Sequence, residues 1–480
     1  MKANNFSRWS GVFIAVLVTV GAGLLWWGVS ASTPDLMEAP AQHLFLGFWN
    51  ILYATQAPPV STIMVAMAIA LLMAAAVAIV ELVVTTRYRR SGDAVATPLS
   101  PRVVMGATRG VHAGPVTVTA LIPAHNEEAS LPRTLESLRD QSVVPERIIV
   151  VADNCTDGTV EIARGFGAEV FETRGNRHKK AGGLNQALSW VLGGQGDNDV
   201  VMVMDADTML DPGFLEEAVG RFTLDRALMA VGGLFQGEEG HGLIGQFQRN
   251  EYIRYSRELK RRRGRVFVLT GTASLFRPRG LRAIAEQRGT SLPGEPGQVY
   301  DTAALTEDNE LTIALKSLGA LVISPHQCTV VTELMPTWKT LWAQRLRWQR
   351  GALENLGAYG LRSQTARYWA QQVGIGYGVI ALATYFLLLA VMALALDTWV
   401  WFPFWFGLGA VFAVERVMTV WRGGWRARIL ALLLIPELCY DMVLNMAYVK
   451  GISDSARGTT AAWKHVQHQA SIPEASSGGN

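Results

Sequence analysis

The sequence predicts an α/β domain with a doubly wound, mainly parallel sheet, placed between two groups of membrane-spanning helices. Between residues 116 and 204, β-branched runs alternate with helical patterns, which is typical of a parallel sheet with helices on both faces. On either side of this region lie apolar runs long enough to span a bilayer. Half of the 480 residues are hydrophobic and only 17% are charged, which argues against a wholly soluble protein.

Two membrane-spanning helices are expected within residues 1–92. The predicted spans cover residues 11–29 and 60–86. The second is followed at once by the basic cluster 87–90, which the positive-inside rule places in the cytoplasm. The alternative for the first span is a cleaved signal peptide, because residues 29–31 resemble a cleavage site. Residues 93–115 contain proline and glycine and are expected to form a linker.

About three further spans are expected within residues 373–450. They cover residues 373–396, 398–414 and 429–449. Arginines crowd the connection before the last span, which places that connection in the cytoplasm. Glu437 and Asp441 interrupt the last span four residues apart, so they share one face of a helix. They either line a passage or stabilise helix packing. The tail, residues 451–480, is expected to be disordered.

The central region, residues 116–333, begins with four predicted strands separated by helices. The strands cover residues 116–122, where Pro123 is expected to end the strand, 147–152, 168–171 and 199–204. The helices cover residues 129–141, 158–166 and 182–191. In sheets of this kind, ligands bind beyond the carboxyl ends of the strands. The polar residues that follow the strands are therefore the first candidates for a functional site.

Three strand ends carry such residues. The candidates are Pro123, Asn126 and Glu127 after the first strand, Asp153 after the second, and Asp205 and Asp207 after the fourth. Paired carboxylates after an apolar strand suit a hard divalent ion, Mg²⁺ or Mn²⁺, that keeps waters and bridges substrate phosphates. This strand end therefore predicts a metal site.

Three further motifs carry charge. Lys180 precedes two glycines and a helix, which suits contact with phosphate, although the spacing is not that of a Walker loop. Residues 306–308, Thr-Glu-Asp, precede a predicted helix, and a carboxylate there could act as a general base. Residues 344–348, Gln-Arg-Leu-Arg-Trp, lie beside apolar sequence. Arginine captures phosphate bidentately, and the tryptophan offers a flat face to a sugar ring.

Other patterns are less specific. The basic stretch 257–265 indicates a solvated face or contact with lipid headgroups, and nothing in a chain of net charge +3 is basic enough to indicate nucleic acid binding. His326 is either a further metal ligand or a hydrogen-bonded residue near a strand end. Trp338 and Trp342 predict an amphipathic helix on the membrane surface. The three cysteines are far apart and indicate neither a disulfide framework nor a metal cluster.

In this order, the motifs resemble those of family 2 glycosyltransferases, specifically the membrane-embedded processive synthases of cellulose, chitin, hyaluronan and poly-N-acetylglucosamine. The resemblance covers residues 116–356, and residues 334–351 look closest to the bacterial poly-N-acetylglucosamine synthases. It implies a Rossmann-like, GT-A-type nucleotide-sugar transferase domain at residues 116–333, followed by interfacial helices at residues 334–372. Residues 153–155, Asp-Asn-Cys, replace the more usual Asp-Gly-Ser, which leaves the donor sugar open.

The resemblance implies a role for each candidate. Donor binding would involve Pro123, Asn126, Glu127, Asp153, Lys180 and Asp205. The metal, Mg²⁺ or Mn²⁺, would be held by Asp207 and Asp205. The catalytic base would be Asp308. The acceptor and the diphosphate would face Glu307, Gln344, Arg347 and Trp348.

The implied reaction is one displacement at the anomeric carbon, which inverts configuration and turns an α-linked UDP-sugar into a β-glycoside. UDP-N-acetylglucosamine or UDP-glucose is the expected donor and a growing glycan the acceptor, in a multi-pass protein of the plasma or inner membrane with a cytoplasmic catalytic domain. Membrane lipid is expected to surround the spans, and the sequence does not decide whether an accessory subunit is needed. The alternative is addition of a single sugar to a lipid or protein-linked glycan. A third possible function is that of a transporter or sensor with a degenerate sugar-binding domain. The intact carboxylates of Asp205, Asp207 and Asp308 argue against it.

Overall fold

The computed structural model describes residues 97–107, 114–262, 264–394 and 403–458, together with single positions before residue 73. Residues 97–383 and 413–458 belong to one compact unit. The two spans predicted within residues 1–92 fall outside the continuously described residues, as does most of the predicted tail. The first residues of that tail are helical, because the last described helix continues to Ala456.

Ten strands are described, numbered β1 to β10. They are Thr117–Ala124, Arg147–Ala152, Glu169–Glu172, Asp199–Met204, Thr208–Leu210, Leu228–Gly232, Leu234–Gly237, Ala273–Phe276, Leu321–Ile323 and Thr329–Thr332. Seven of them form the central sheet in the order β3-β2-β1-β4-β8-β6-β9, in which β8 alone runs antiparallel to its neighbours. A small second sheet has the order β5-β10-β7. The predicted α/β architecture with a mainly parallel sheet is thus present.

Thirteen α-helices, α1 to α13, lie in the described ranges. They are Pro101–Ala107, Leu131–Arg139, Thr159–Gly165, Lys179–Val191, Phe214–Leu224, Gly242–Arg261, Pro278–Gln287, Glu307–Ser317, Trp338–Tyr359, Ala366–Leu394, Pro403–Thr419, Gly424–Leu432 and Ile435–Ala456. Helix α9 carries the Gln-Arg-Leu-Arg-Trp motif. It begins at Trp338, where Thr337 and Thr340 form a capping box.

The core lies on both faces of the central sheet, and β4 shows why. Its successive side chains point to opposite faces. Val201 and Val203 join one buried cluster, which includes Leu184 of α4. Met202 joins the other, which includes Phe214 of α5. A strand buried on both faces is expected to be continuously apolar, as β4 is after Asp199.

The strand β1 runs past Pro123, so the prediction that this proline ends the strand is wrong. Pro123 pairs with Val151 of β2 in parallel register. On the other side, the pairing of β1 with β4 ends at Leu121. A residue without an N–H is tolerated here because one of its two neighbouring ladders has already ended.

Helix α4 begins at Lys179, three residues before its predicted start, so Gly182 and Gly183 lie inside the helix and not in front of it. A Cβ built on Gly182 would lie 2.1 Å from Oδ1 of Asn176. The glycine therefore serves close packing between the first turn of α4 and the preceding loop. Helix α8 also begins early, at Glu307, which puts three acidic residues, Glu307, Asp308 and Glu310, in its first turn, where the helix dipole favours negative charge.

One stretch among the described helices, Ala366–Leu387 of α10, is long and apolar enough to cross a membrane. It overlaps the first of the three predicted C-terminal spans. The run predicted at 429–449 is broken, because the stretch Trp421–Leu432 meets Ile435–Ala456 at a bend of 90°. These two stretches amount to a second candidate span only if the bent pair is taken as one broken span. Helix α11 overlaps the remaining predicted run; it has 17 residues in the described part of the chain and does not reach this length.

Glu437 and Asp441 bind arginines. The buried Glu437 accepts a hydrogen bond of 2.7 Å from Asn250 and pairs with Arg254, both on α6. Asp441 pairs with Arg416 of α11 at 2.9 Å. Buried carboxylates with such partners join helices to one another. Of the two interpretations of these residues, the contacts support helix packing.

Candidate active site

Asp153 follows β2, and its carboxylate is enclosed by donors. Its Oδ1 accepts hydrogen bonds from Asn154 Nδ2 at 3.0 Å, Thr173 Oγ1 at 2.7 Å and Asn176 Nδ2 at 2.9 Å. Nδ1 of His125, just after β1, lies 2.6 Å from the Asp153 carbonyl oxygen. The ends of two adjacent strands are thus tied together at this carboxylate.

The turn after β1 is fixed to its neighbours by its own side chains. Asn126 has a φ of 59°, and its Oδ1 accepts the backbone N–H of Thr156 at 2.7 Å. Oε2 of Glu127 accepts a hydrogen bond of 2.6 Å from Ser130. Pro123 lies inside β1, two residues before His125. The predicted donor-binding residues of the first two strands therefore form one continuous edge.

Lys180 lies among carboxylates from two other elements. Its Nζ donates to Oδ1 of Asp205, which follows β4. The same nitrogen lies 3.3 Å from Oε1 of Glu307, the first residue of α8. About a third of the Asp205 side chain (31%) and 28% of the Lys180 side chain are exposed. The group therefore lines a cleft that is open to solvent.

Asp308 lies beside this group and is held by backbone donors. Its Oδ1 accepts the N–H of Asn309 at 2.7 Å, and its Oδ2 accepts the N–H of Gly271 at 3.2 Å. A Cβ on Gly271 would lie 3.3 Å from Lys180 Nζ, 3.5 Å from Asp308 Oδ2 and 3.7 Å from Asp205 Oδ2. Gly271 thus faces all three charged groups. Sequence reasoning missed it, and the only local signal was a glycine between two threonines before β8.

A second missed residue is Tyr300. It lines a cleft together with Lys180, Gly271, Ser274, Glu307 and Asp308. Its backbone is held by Asn185 of α4, which accepts the Tyr300 N–H at 2.8 Å and donates to the Tyr300 carbonyl oxygen at 2.9 Å. Burial raises the pKa of the Tyr300 phenol, so it stays protonated.

The cleft holds more negative than positive charge. Burial raises the pKa of Asp205, against the opposing effect of Lys180 and with a contribution from the charge of Asp207. Burial, followed by the charge of Glu307, raises the pKa of Asp308. Burial alone would lower the pKa of Lys180, but the charges of Asp205 and Glu307 outweigh it and raise that pKa. The ammonium therefore stays charged, and the carboxylates repel one another.

This charge balance fits a divalent cation. The repulsion between Asp205 and Asp207 is one that a bound cation would offset. Among the described residues, no group of three His, Cys, Asp or Glu side chains is arranged to hold a metal ion. Mg²⁺ is commonly held by one or two carboxylates together with substrate phosphates, so a carboxylate pair suffices. His326 is exposed and belongs to no such group, which leaves its alternative role as a metal ligand unsupported.

The Gln-Arg-Leu-Arg-Trp motif divides between two sides of α9. The pKa of Glu307 is lowered, because the charge of Lys180, a backbone hydrogen bond to the Glu307 carboxylate and the charge of Arg347 together outweigh the raising effect of burial. Arg345 instead is buried, donates to Glu251 at 2.8 Å and covers one face of Trp348, 4.3 Å from the ring centroid. Residues two apart on a helix do not face the same way.

Gln344 and Arg345 have buried atoms without a hydrogen-bond partner. These atoms are Oε1 of Gln344 and Nε and Nη1 of Arg345. Buried polar atoms of this kind are uncommon in native structures and are often satisfied by water or a ligand.

Among the predicted site residues, the structure brings Lys180, Asp205, Glu307 and Asp308 together. The charge of Arg347 acts on Glu307, whereas Arg345 points to Glu251.

Part of the chain is similar to known glycosyltransferases. Residues 119–284 match the model of glycosyl transferase family 2. The probable glycosyltransferase YdaM of Bacillus subtilis is 31% identical over 248 residues, which are 49% of this chain and 54% of the relative. The poly-beta-1,6-N-acetyl-D-glucosamine synthase of Staphylococcus aureus is 26% identical over 246 residues, 50% of this chain and 55% of the relative. The chain therefore spans about half the length of the curated relatives it matches.

Among solved structures, a mannosyltransferase from Pyrobaculum calidifontis in complex with GDP-Man and Mn²⁺ is similar with a TM-score of 0.47. It is 16% identical, and the match covers 79% of this chain and 98% of that protein. The expected resemblance to family 2 is confirmed by the family match and the curated relatives. The mainly parallel sheet of the matched region is that of a GT-A-type domain. Residues 119–284 are therefore a domain that matches the family 2 glycosyltransferases.

Proposed function

We propose that this protein is an inverting, metal-dependent membrane glycosyltransferase that adds sugar from a UDP-sugar to a growing β-linked polysaccharide. The observation that carries the proposal is the meeting of Lys180, Asp205, Glu307 and Asp308 at the carboxyl edge of a mainly parallel sheet. Ligands of such sheets bind at that edge. A carboxylate that can act as a base, an ammonium group and further carboxylates lie close together, and these groups suit sugar transfer from a nucleotide.

The donor would lie along the strand ends. Its uridine would contact Asp153 and the turn formed by Pro123, Asn126 and Glu127. Its diphosphate would reach Lys180, whose raised pKa keeps the ammonium charged. Asp205 and Asp207 would hold Mg²⁺ or Mn²⁺, which when bound supplies positive charge to the departing diphosphate.

Asp308 would act as the general base. It would accept the proton of an acceptor hydroxyl while that oxygen bonds to the anomeric carbon and the bond from this carbon to UDP breaks. One such displacement inverts the configuration and releases UDP. The backbone N–H of Gly271 orients the Asp308 carboxylate. Glu307, Gln344 and Trp348 would lie on the acceptor side, and Arg347 would add positive charge near the leaving group.

We further propose that synthesis is processive and coupled to export. Helix α10, whose first part is apolar and long enough to cross a membrane, follows the motif helix α9 directly. The catalytic domain would face the cytoplasm, where nucleotide-sugars are made, in a multi-pass protein of the plasma or inner membrane. The similarity to a poly-beta-1,6-N-acetyl-D-glucosamine synthase favours UDP-N-acetylglucosamine over UDP-glucose. The second candidate function is addition of one sugar to a lipid or protein-linked glycan.

The test is to incubate the purified protein in lipid with radiolabelled UDP-N-acetylglucosamine or UDP-glucose and to size the product. A polymer that lengthens with time is expected from one of these donors. A product that never exceeds one added sugar would replace the processive function with the second candidate. The absence of both product and UDP release with every donor would contradict the proposed reaction.

A further inference from the structure

Helix α9 presents a buried stripe to the segment that carries Asp308. Gly351, Asn355 and Tyr359 are four residues apart in sequence, so they lie on one face of the helix. All three are buried. The same helix carries residues 344–348 in its first half, so one rigid element joins both parts of the candidate site.

Asn355 contacts the residues on either side of the Glu307–Asp308 pair. Its Nδ2 lies 3.1 Å from the Thr306 carbonyl oxygen, 3.2 Å from Thr306 Oγ1 and 3.0 Å from Oδ1 of Asn309. Thr306 is the N-cap of α8, yet its side chain makes no capping hydrogen bond within that helix. An amide from α9 therefore holds the start of α8.

Tyr359 contacts the next turn of the same helix. Its hydroxyl donates to Oε1 of Glu310, which also forms a bidentate pair with Arg288. The Arg288 and Glu310 side chains are 0% and 2% exposed. Arg288 donates further to the carbonyl oxygens of Pro293 and Val299, next to Tyr300. This buried network joins α9, α8 and the loop that carries Tyr300.

Gly351 sets how closely the two helices approach. A Cβ at this position would lie 2.5 Å from Oγ1 and 2.7 Å from Cγ2 of Thr306. Such distances are shorter than van der Waals contact, so any larger residue would push Thr306 and the start of α8 away. By contrast, a Cβ on the exposed Gly357 of the same helix would meet nothing within 4 Å.

We propose that Gly351, Asn355 and Tyr359 are positioning residues that hold Asp308 in the cleft by docking α8 against the helix of the Gln-Arg-Leu-Arg-Trp motif. The inference rests on the proposed function for the role of Asp308, and on the observed contacts alone for the docking. The motif helix would thus both supply side chains to the site and fix the place of the base.

The experiment compares Gly351→Ala with Gly357→Ala in the full-length protein in lipid. A base misplaced by about 1 Å can lower a rate by roughly a hundredfold, so Gly351→Ala is expected to lower kcat at least about tenfold with little change in donor KM. Gly357→Ala is expected to keep wild-type kcat. Adding Thr306→Ala to Gly351→Ala removes both clashing atoms and is expected to restore most of the lost kcat.

A second measurement does not depend on activity. Hydrogen exchange of the amides at residues 306–310 is expected to become faster in Gly351→Ala and to stay unchanged in Gly357→Ala. If both variants match the wild type in kcat and exchange, the positioning role is wrong. If the wild type transfers no sugar, the proposed function fails, while the exchange comparison still tests the docking.

Should Gly351→Ala fail to fold, Tyr359→Phe keeps the ring and removes only the hydroxyl. Faster exchange at residues 306–310 and a kcat lowered about threefold at unchanged UDP affinity are expected, in line with the net contribution of one hydrogen bond. Wild-type exchange and kcat in this variant would overturn the proposal.

Discussion

The backbone N–H of Gly271 donates a hydrogen bond of 3.2 Å to Oδ2 of Asp308, although the two residues are 37 positions apart in the sequence. The other oxygen of the same carboxylate accepts the N–H of Asn309. Both donors belong to the main chain, so only a proline at position 271 or 309 would delete a donor group. The orientation of Asp308 is therefore a property of how β8 and α8 meet.

Replacing Asp308 with Asn is expected to abolish sugar transfer and to preserve UDP binding. The amide keeps the shape of the side chain but cannot take a proton, and loss of a general base lowers rates about 10²–10⁴-fold. Transfer is measured with radiolabelled donor, and UDP binding by titration calorimetry. Asp140→Asn, on an exposed residue, is the matched control and should behave as wild type. Retained turnover in Asp308→Asn would contradict its assignment as the base.

Activity is expected to fall when the pH is lowered through about 6. Burial, with a contribution from the charge of Glu307, raises the pKa of Asp308 to about 6, and only the deprotonated carboxylate can accept a proton. The acid limb of kcat/KM against pH measures this. Glu307→Gln removes one cause of the raised pKa, so its acid limb should move to lower pH. A limb at the same pH in both proteins would argue against Asp308 as the titrating group.

Transfer is expected to stop when divalent ions are removed with EDTA and to return when Mg²⁺ or Mn²⁺ is added. Asp207→Asn removes one of the two proposed metal ligands, so it should weaken the metal-dependent part of UDP binding and leave metal-free UDP binding unchanged. Binding is measured by calorimetry with and without the ion. Equal gains from the ion in wild type and Asp207→Asn would show that this carboxylate is not a ligand.

The buried pair of Arg288 and Glu310 is expected to be critical for stability. Glu310→Gln leaves a fully buried guanidinium without its counter-charge, and breaking such a pair costs about 3–5 kcal/mol of unfolding free energy. Glu172→Gln breaks the ion pair between Glu172 and Arg164, in which both side chains are about 60% exposed. This substitution should lower the unfolding free energy by less than about 1 kcal/mol. Urea denaturation in detergent compares the two, and equal losses would contradict this reasoning.

Much of the fold could be predicted because its signals are local. The alternation of β-branched runs and helical patterns located the strands, and β4 has the predicted bounds because its apolar run starts after Asp199 and ends at Asp205. The carboxylates at strand ends were also visible, because a parallel sheet gathers such ends at one edge. The separate directions of Arg345 and Arg347 follow from helix geometry, and of these two arginines only Arg347 is among the predicted site residues.

Other features depend on partners far away in the sequence. Gly271 and Tyr300 belong to the cleft only because β8 and the loop before α8 fold against α4. Asn355 contacts Thr306 across 49 positions, and nothing in its neighbours along the chain indicates this. The early start of α4 was hidden because Gly182 looks like a helix breaker until its contact with Asn176 is known.

The amide of Asn176 donates to the Asp153 carboxylate at 2.9 Å and to the Lys179 carbonyl oxygen at 2.7 Å. One rigid planar group therefore connects the strand end proposed for the uridine to the start of the helix that carries Lys180. In the proposed donor site, this amide would fix the distance between the uridine end, at Asp153, and the diphosphate end, at Lys180. A donor with a longer or shorter link between its base and its phosphates would therefore contact either Asp153 or Lys180, but not both.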